Sequence, residues 1–261
     1  YSLSIYGRVN QSGLGAFFGR AFASQGDING DGYPDLAVSN TGTIDAPNSY
    51  SSVEVFHGGA NGLALSPQKI YQSNKQGRLF GYDIQFVGDL DGDGDDELLF
   101  SEIFNGSGGG YQSGRLWMFY GDADGLGDEP NWTLDGEVAN QRIGYRVAPA
   151  GDIDQDGYDD FFVISLQANN RGELRLHMGS ENGPSSEVYL IKTGSSQSRL
   201  AEVIISGSDL DGDGLLDLLL TRKNTTSDSI ELLILSEIEW ESFDIEFSQE
   251  ISDLVAHGAA I

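Results

Sequence analysis

Four stretches of this chain carry oxygen-bearing side chains at alternate positions: Gly26–Gly32, Gly88–Gly94, Gly151–Gly157 and Ser208–Gly214. Counted from the first Asp of each, positions 1, 3, 5 and 9 are Asp27, Asn29, Asp31 and Asp35; Asp89, Asp91, Asp93 and Glu97; Asp152, Asp154, Asp156 and Asp160; and Asp209, Asp211, Asp213 and Asp217. A hard divalent cation takes six to eight oxygens at about 2.3–2.6 Å, and alternate residues of a tightly turning loop aim carboxylates at one point. Position 6 is Gly in every copy, which tolerates the sharp turn. Position 7 (Tyr33, Asp95, Tyr158, Leu215) varies in side chain, so its ligand would be the backbone carbonyl. The expected cofactor is Ca²⁺, at about four sites.

Two competing readings can be tested on the residues. An EF-hand needs a bidentate Glu at position 12 and flanking helices. Position 12 is Val38, Phe100, Val163 and Leu220, so the loop joins two strands and the position-9 carboxylate closes the cage early. A solvated Asp-Gly turn would explain one such loop, but not four at fixed offsets from other landmarks. Without a cation the clustered carboxylates repel one another, and bare loops are expected to lose order.

The offsets define a repeat. Successive loops start 62, 63 and 57 residues apart. Phe18-Gly19, Phe80-Gly81, Ile143-Gly144 and Leu200-Ala201 each end eight residues before the first Asp. Downstream, apolar runs end in Gly at Val53–Gly58, Leu116–Gly121 and Leu174–Gly179, followed by the turns Asn61-Gly62, Asp124-Gly125 and Asn182-Gly183. The fourth copy keeps a run, Ile230 to Leu235, without the Gly turn.

In the first unit these landmarks predict strands over 20–24, 35–39, 53–57 and 68–72, with the acidic loop between the first two. Four short strands in roughly 60 residues match a propeller blade, while solenoid coils are usually shorter. The second strand is apolar throughout in each copy (Leu36-Ala37-Val38, Leu98-Leu99-Phe100, Phe161-Phe162-Val163, Leu218-Leu219-Leu220), as in a strand packed on both faces. The expected fold is all-β, one domain over 1–261 of propeller blades, with repeats at about 15–72, 77–135, 140–192 and 197–248. The four blades form either a compact unit or part of a larger propeller. Strand-like segments at 2–6 and 243–247 flank them. The first aligns with a fourth strand and could close a ring, but 243–247 already supplies that strand for the last repeat, which points towards a larger propeller.

Phe-Gly, then Asp-x-Asp/Asn-x-Asp-Gly-x-x-Asp, then a strand ending in Gly resembles the FG-GAP repeats of integrin α-subunit propellers and related bacterial and fungal proteins. The resemblance runs from about Gly15 to Leu235. It implies calcium sites in hairpin loops on one face of a propeller, and adhesion or ligand binding outside the cell. Ile143-Gly144 and Leu200-Ala201 depart from Phe-Gly, and such propellers generally have seven blades against four here.

Lys+Arg of 14 against Asp+Glu of 41 gives a net charge of −27, which repels nucleic acid and anionic membrane surfaces. No apolar run approaches the roughly 20 residues of a membrane helix. The N-terminus, Tyr1-Ser2-Leu3-Ser4, has neither Met nor signal-peptide layout, so the chain reads as a processed product or an excised segment. There is no Cys, which excludes disulfides and thiolate chemistry and leaves the compartment to be argued from the metal loops. Loops that need millimolar calcium place the protein outside the cell or at its surface.

Nucleophile-elbow, Walker, dinucleotide and zincin motifs are all missing, and His57, His177 and His257 lie far apart, so no enzyme is expected. A partner, protein or glycan, would meet the face opposite the metal loops, where the second-to-third-strand loops are long. The candidate contacts there are Asp45, Tyr50, Phe104 and Tyr111. A structural spacer in a large surface adhesin and a calcium-dependent lectin are the alternatives. Glycosylation triplets at Asn10, Asn105, Asn131 and Asn224 arise readily by chance in such a chain. Trp117, Trp132 and Trp240 could stack on a sugar, although the strand position of Trp117 favours packing between blades.

Overall fold

The computed structural model describes residues 17–41, 50–75, 77–167, 171–185, 188–194, 198–208, 217–224 and 230–235. They form fifteen strands and no helix. The first sheet is β1 (Phe17–Ser24), β2 (Leu36–Thr41), β3 (Ser52–Phe56) and β4 (Lys69–Gln72). The second is β5 (Phe80–Phe86), β6 (Leu98–Glu102), β7 (Arg115–Phe119) and β8 (Trp132–Asp135). The third is β9 (Arg146–Gly151), β10 (Asp160–Ser165), β11 (Glu173–His177) and β12 (Leu190–Thr193), and the fourth is β13 (Ser198–Ser208), β14 (Asp217–Asn224) and β15 (Ile230–Leu235). Each sheet is an antiparallel meander in chain order, a propeller blade. The expected strands sit within one to three residues of the observed ones. Residues 2–6 and 243–247 lie outside the described residues.

Alternation along the second strands explains why they are apolar on every residue. Leu98 and Phe100 point into a core shared with the first blade, beside Val53, Val55 and Ile84. Leu99, between them, points the other way, into a core with Phe161 and Val163 of the third blade. Phe162 and Ile164 then meet Leu218 and Leu220 of the fourth. Each blade is thus too thin to have its own core, and stability resides in the interfaces.

The Phe-Gly landmark is a β-bulge that lets blades approach. Register shifts between Phe18 and Phe22, Phe80 and Ile84, and Leu200 and Ile204. Gly81 and Gly144 have φ of 72° and 77°, and a Cβ would lie 2.8 Å from Val53 in one case and 2.6 Å from Leu116 in the other. Gly19, with φ of 77°, meets nothing within 4 Å. Phe22 agrees: it is 65% exposed, whereas its counterparts Ile84, Val147 and Ile204 are 0%, 1% and 8% exposed. On the same face of the first blade Val38 and Phe56 are 6% and 1% exposed, so the exposure is confined to the first strand.

Candidate metal centre

The three described loops share one hydrogen-bond scheme. The position-1 carboxylate accepts the position-6 amide: Gly32 to Asp27 at 2.7 Å, Gly94 to Asp89 at 3.0 Å, Gly157 to Asp152 at 2.9 Å. The position-5 carboxylate accepts the position-7 amide: Tyr33 to Asp31 at 2.9 Å, Asp95 to Asp93 at 3.0 Å, Tyr158 to Asp156 at 3.0 Å. These turns need the left-handed glycines Gly32, Gly94 and Gly157. The result brings ligand oxygens of Asp89, Asp91 and Asp93 within 4.8 Å of one another, and likewise those of Asp152, Asp154 and Asp156. In the first loop Asn29 takes position 3, and its Oδ1 is buried with no hydrogen-bond partner.

The position-9 side chains are buried under the loops. Asp35 accepts the amides of Ile28 (3.1 Å) and Gly58 (2.7 Å), and Asp160 those of Ile153 (3.0 Å) and Gly179 (2.8 Å). Glu97 accepts only the Leu90 amide, at 2.5 Å, and its Oε1 is buried without a partner. Each of these oxygens keeps a lone pair for a cation. Burial raises all three carboxyls, Asp160 to about 7 and Glu97 to about 9, against the backbone amides that favour ionisation. Orphaned buried oxygens beside converging carboxylates fit a hard cation with oxygen ligands. Asp209, Asp211, Asp213 and Leu215 lie outside the described residues, and Asp217 opens β14.

Position 8, which the repeat does not fix, couples the second and third loops each to the loop of the preceding blade. Asp96 accepts the Asp27 amide at 2.7 Å, and Asp159 accepts the Asp89 amide at 3.0 Å. Position 7 packs across the same boundary, with the Tyr158 ring over Gly92. Sequence reasoning missed these residues because position 8 is Pro34 and Leu216 in the other copies.

At the opposite face, Tyr50 is 45% and Tyr111 72% exposed, while Asp45 lies outside the described residues. Phe104 is half-buried with the Arg142 guanidinium 5.5 Å from its ring centre. The loop bearing it docks on the connection to the third blade, where Gly109 donates to Gly136 O at 2.6 Å and Arg142 to Gln112 O at 3.1 Å. Trp117 packs on Phe80 of its own blade, against the core shared with the first blade, and Trp132 packs on Phe161 and His177 across the second interface. His57 is half-buried, His177 is buried, and Trp240 and His257 lie outside the described residues.

The sequence profile of the FG-GAP-like repeat matches residues 27–100 and 152–220, more than half of the chain. This chain belongs to the FG-GAP repeat family. The two matches run through the acidic loops of all four repeats and end in the second strands of the second and fourth blades. Human integrin α-IIb is 30% identical over 175 residues, which is 62% of this chain and 16% of the relative. Chicken integrin α-6 is 26% identical over 166 residues (63% and 15%), and chicken integrin α-V 29% over 182 residues (62% and 17%). The chain therefore spans about a sixth of the length of these FG-GAP relatives.

Proposed function

We propose that this FG-GAP chain is a calcium-stabilised ligand-binding or adhesion module, without catalysis, of a secreted or cell-surface protein. The observation that carries the reading is the repeated loop: convergent carboxylates in the second and third blades, with unpartnered buried oxygens on Asn29 and Glu97. Calcium would be held by positions 1, 3, 5 and 9 and by the position-7 carbonyl, at about four sites including the fourth loop. Its chemistry is structural, since it neutralises carboxylates that otherwise repel. The integrin names of the relatives support a surface adhesion setting, as does the millimolar calcium found there. The opposite face, with Tyr50 and Tyr111, would meet the partner.

A ligand that binds only the folded state stabilises it by about 2.7 kcal/mol per site at a hundredfold excess over Kd. Chelation is expected to lower the melting temperature sharply and calcium to restore it, with magnesium a poor substitute. Asp93→Ala and Asp156→Ala should each destabilise their own blade most. A melting curve indifferent to chelator and to both substitutions overturns the structural role of the metal. Turnover of any glycoside that disappears with Asp156→Ala would overturn the absence of catalysis.

A further inference from the structure

Strand direction sorts the basic residues of this molecule, while carboxylates such as Glu102, Asp135, Glu137 and Glu173 share the end opposite the loops. First strands run towards the metal loops, so the starts of first and third strands, the ends of second and fourth strands, and the connections between blades all lie at the opposite face. Among the described residues Lys69, at the start of β4, is the one Lys or Arg at the loop end. Arg20, Arg78, Arg115, Arg142 and Arg146 lie at the other end, in a protein of net charge −27.

Four of these arginines are laid on aromatic rings, and Arg115, over Trp117, is ion-paired with Asp135, which leaves Arg20, Arg142 and Arg146. Arg20 of the first blade places its guanidinium carbon 4.2 Å from the centre of the Tyr82 ring. Arg146 of the third blade lies 5.6 Å from the same ring and 4.9 Å from that of Tyr145, whose carbonyl it also bonds at 2.8 Å. Arg142 sits over Phe104 and bonds the Gln112 side chain at 2.7 Å. No carboxylate among the described residues forms an ion pair with these three. Asp83 is the acidic group near Arg20 and Arg146, and its Oδ2 is taken by the Val147 amide at 2.9 Å. Two guanidinium groups thus share one inward-held carboxylate.

We propose that this face recognises an acidic polypeptide segment of its partner, with Arg20 and Arg146 as the primary contacts and Arg142 as a secondary one. The inference rests on the assignment of the partner to the face opposite the metal loops. Guanidinium groups match carboxylates through paired N–H donors, and those held against rings lose less freedom on binding. Exposed Tyr50 and Tyr111 supply the apolar anchors that accompany Arg at protein interfaces. A long sulfated glycan fits less well, because beyond this face it would run against the field of the acidic body.

The test uses the full chain in buffered saturating calcium and a fluorescein-labelled octapeptide of Glu, with an octapeptide of Gln and heparin as controls. Saturable anisotropy binding of the Glu peptide is expected, weakening on addition of 0.5 M salt. Affinity should fall roughly tenfold or more in Arg20→Gln/Arg146→Gln, the loss of about one charge-assisted contact. The calcium-dependent melting temperature of the variant shows that it is folded. Equal binding of the Gln peptide, unchanged affinity in the arginine variant, or preference for heparin over the Glu peptide each overturns the proposal. If Tyr50→Ala/Tyr111→Ala loses binding while the arginine variant keeps it, the face stands and its anionic chemistry falls. If neither variant loses binding, both fall.

Discussion

The Asp96 carboxylate in the second blade accepts the backbone amide of Asp27, the first residue of the loop in the first blade, at 2.7 Å. The Asp27 carbonyl in turn accepts the Asp96 amide at 3.0 Å, so the two residues grip each other across the interface. Asp159 and Asp89 repeat the pair one blade on, at 3.0 Å for both bonds. A cation that orders one loop therefore also braces the next blade.

Removing either carboxylate leaves a partly buried amide without its acceptor. In saturating calcium Asp96→Ala and Asp159→Ala should each cost about 1–3 kcal/mol. Asp96→Asn, which keeps an acceptor oxygen, should lose less. The two losses should add, since the residues belong to different interfaces. Urea titrations of the single and double variants check this.

His177 takes the place of Phe56 and Phe119, the corresponding third-strand residues of the first two blades. It is 2% exposed, stacks on Phe161 with ring centres 5.1 Å apart, and has no partner for either nitrogen. Burial, helped by the nearby Arg175 charge, lowers its pKa to about 4. The unfolded chain binds the proton more tightly, so this residue costs stability progressively as pH falls from about 6.5 to about 4, and no further below that. The cost is on the order of 3 kcal/mol. His177→Phe should be more stable than the parent, with a difference that grows over this window. A difference independent of pH between 6.5 and 4 contradicts the assignment.

Equivalent first-strand positions of the first two blades are unequally buried, Phe22 being 65% and Ile84 0% exposed. Ile84→Ala should cost about 2–5 kcal/mol as a buried aliphatic deletion. Phe22→Ala, at the matching position, should change stability by less than about 1 kcal/mol. If these blades belong to a larger propeller in which a further blade covers Phe22, the same substitution becomes costly in the longer chain. Stability measurements on this chain and on a longer one distinguish the cases.

The bulge glycines follow the same logic. Gly144→Ala adds left-handed strain and a methyl group 2.6 Å from Leu116 and Ser101, so it should disrupt the second interface. Gly19→Ala carries the strain alone, about 1 kcal/mol. Thermal melts of the two variants should differ by several degrees. Equal melting temperatures would mean that the close approach at Gly144 relaxes freely.

Much was legible because the repeat writes each rule several times. The acidic loop, the Phe-Gly pair and the Gly that ends the third strand recur at fixed offsets, and each is a local backbone demand. Gly58, for example, is required because a Cβ there would lie 2.3 Å from the Pro34 carbonyl. Continuous apolar second strands likewise announced burial on two faces. What lies between blades was not written locally. Asp96 reaches Asp27 across 69 residues of chain, and Arg20 and Arg146 meet over Tyr82 although 126 positions separate them. Such contacts depend on how one blade is set against the next, and the residues that make them differ from copy to copy, so no period marks them. For the same reason the sequence could not say that Phe22 is bare while Ile84 is buried: the two occupy the same place in the repeat, and only the stacking of sheets decides which one has a neighbour.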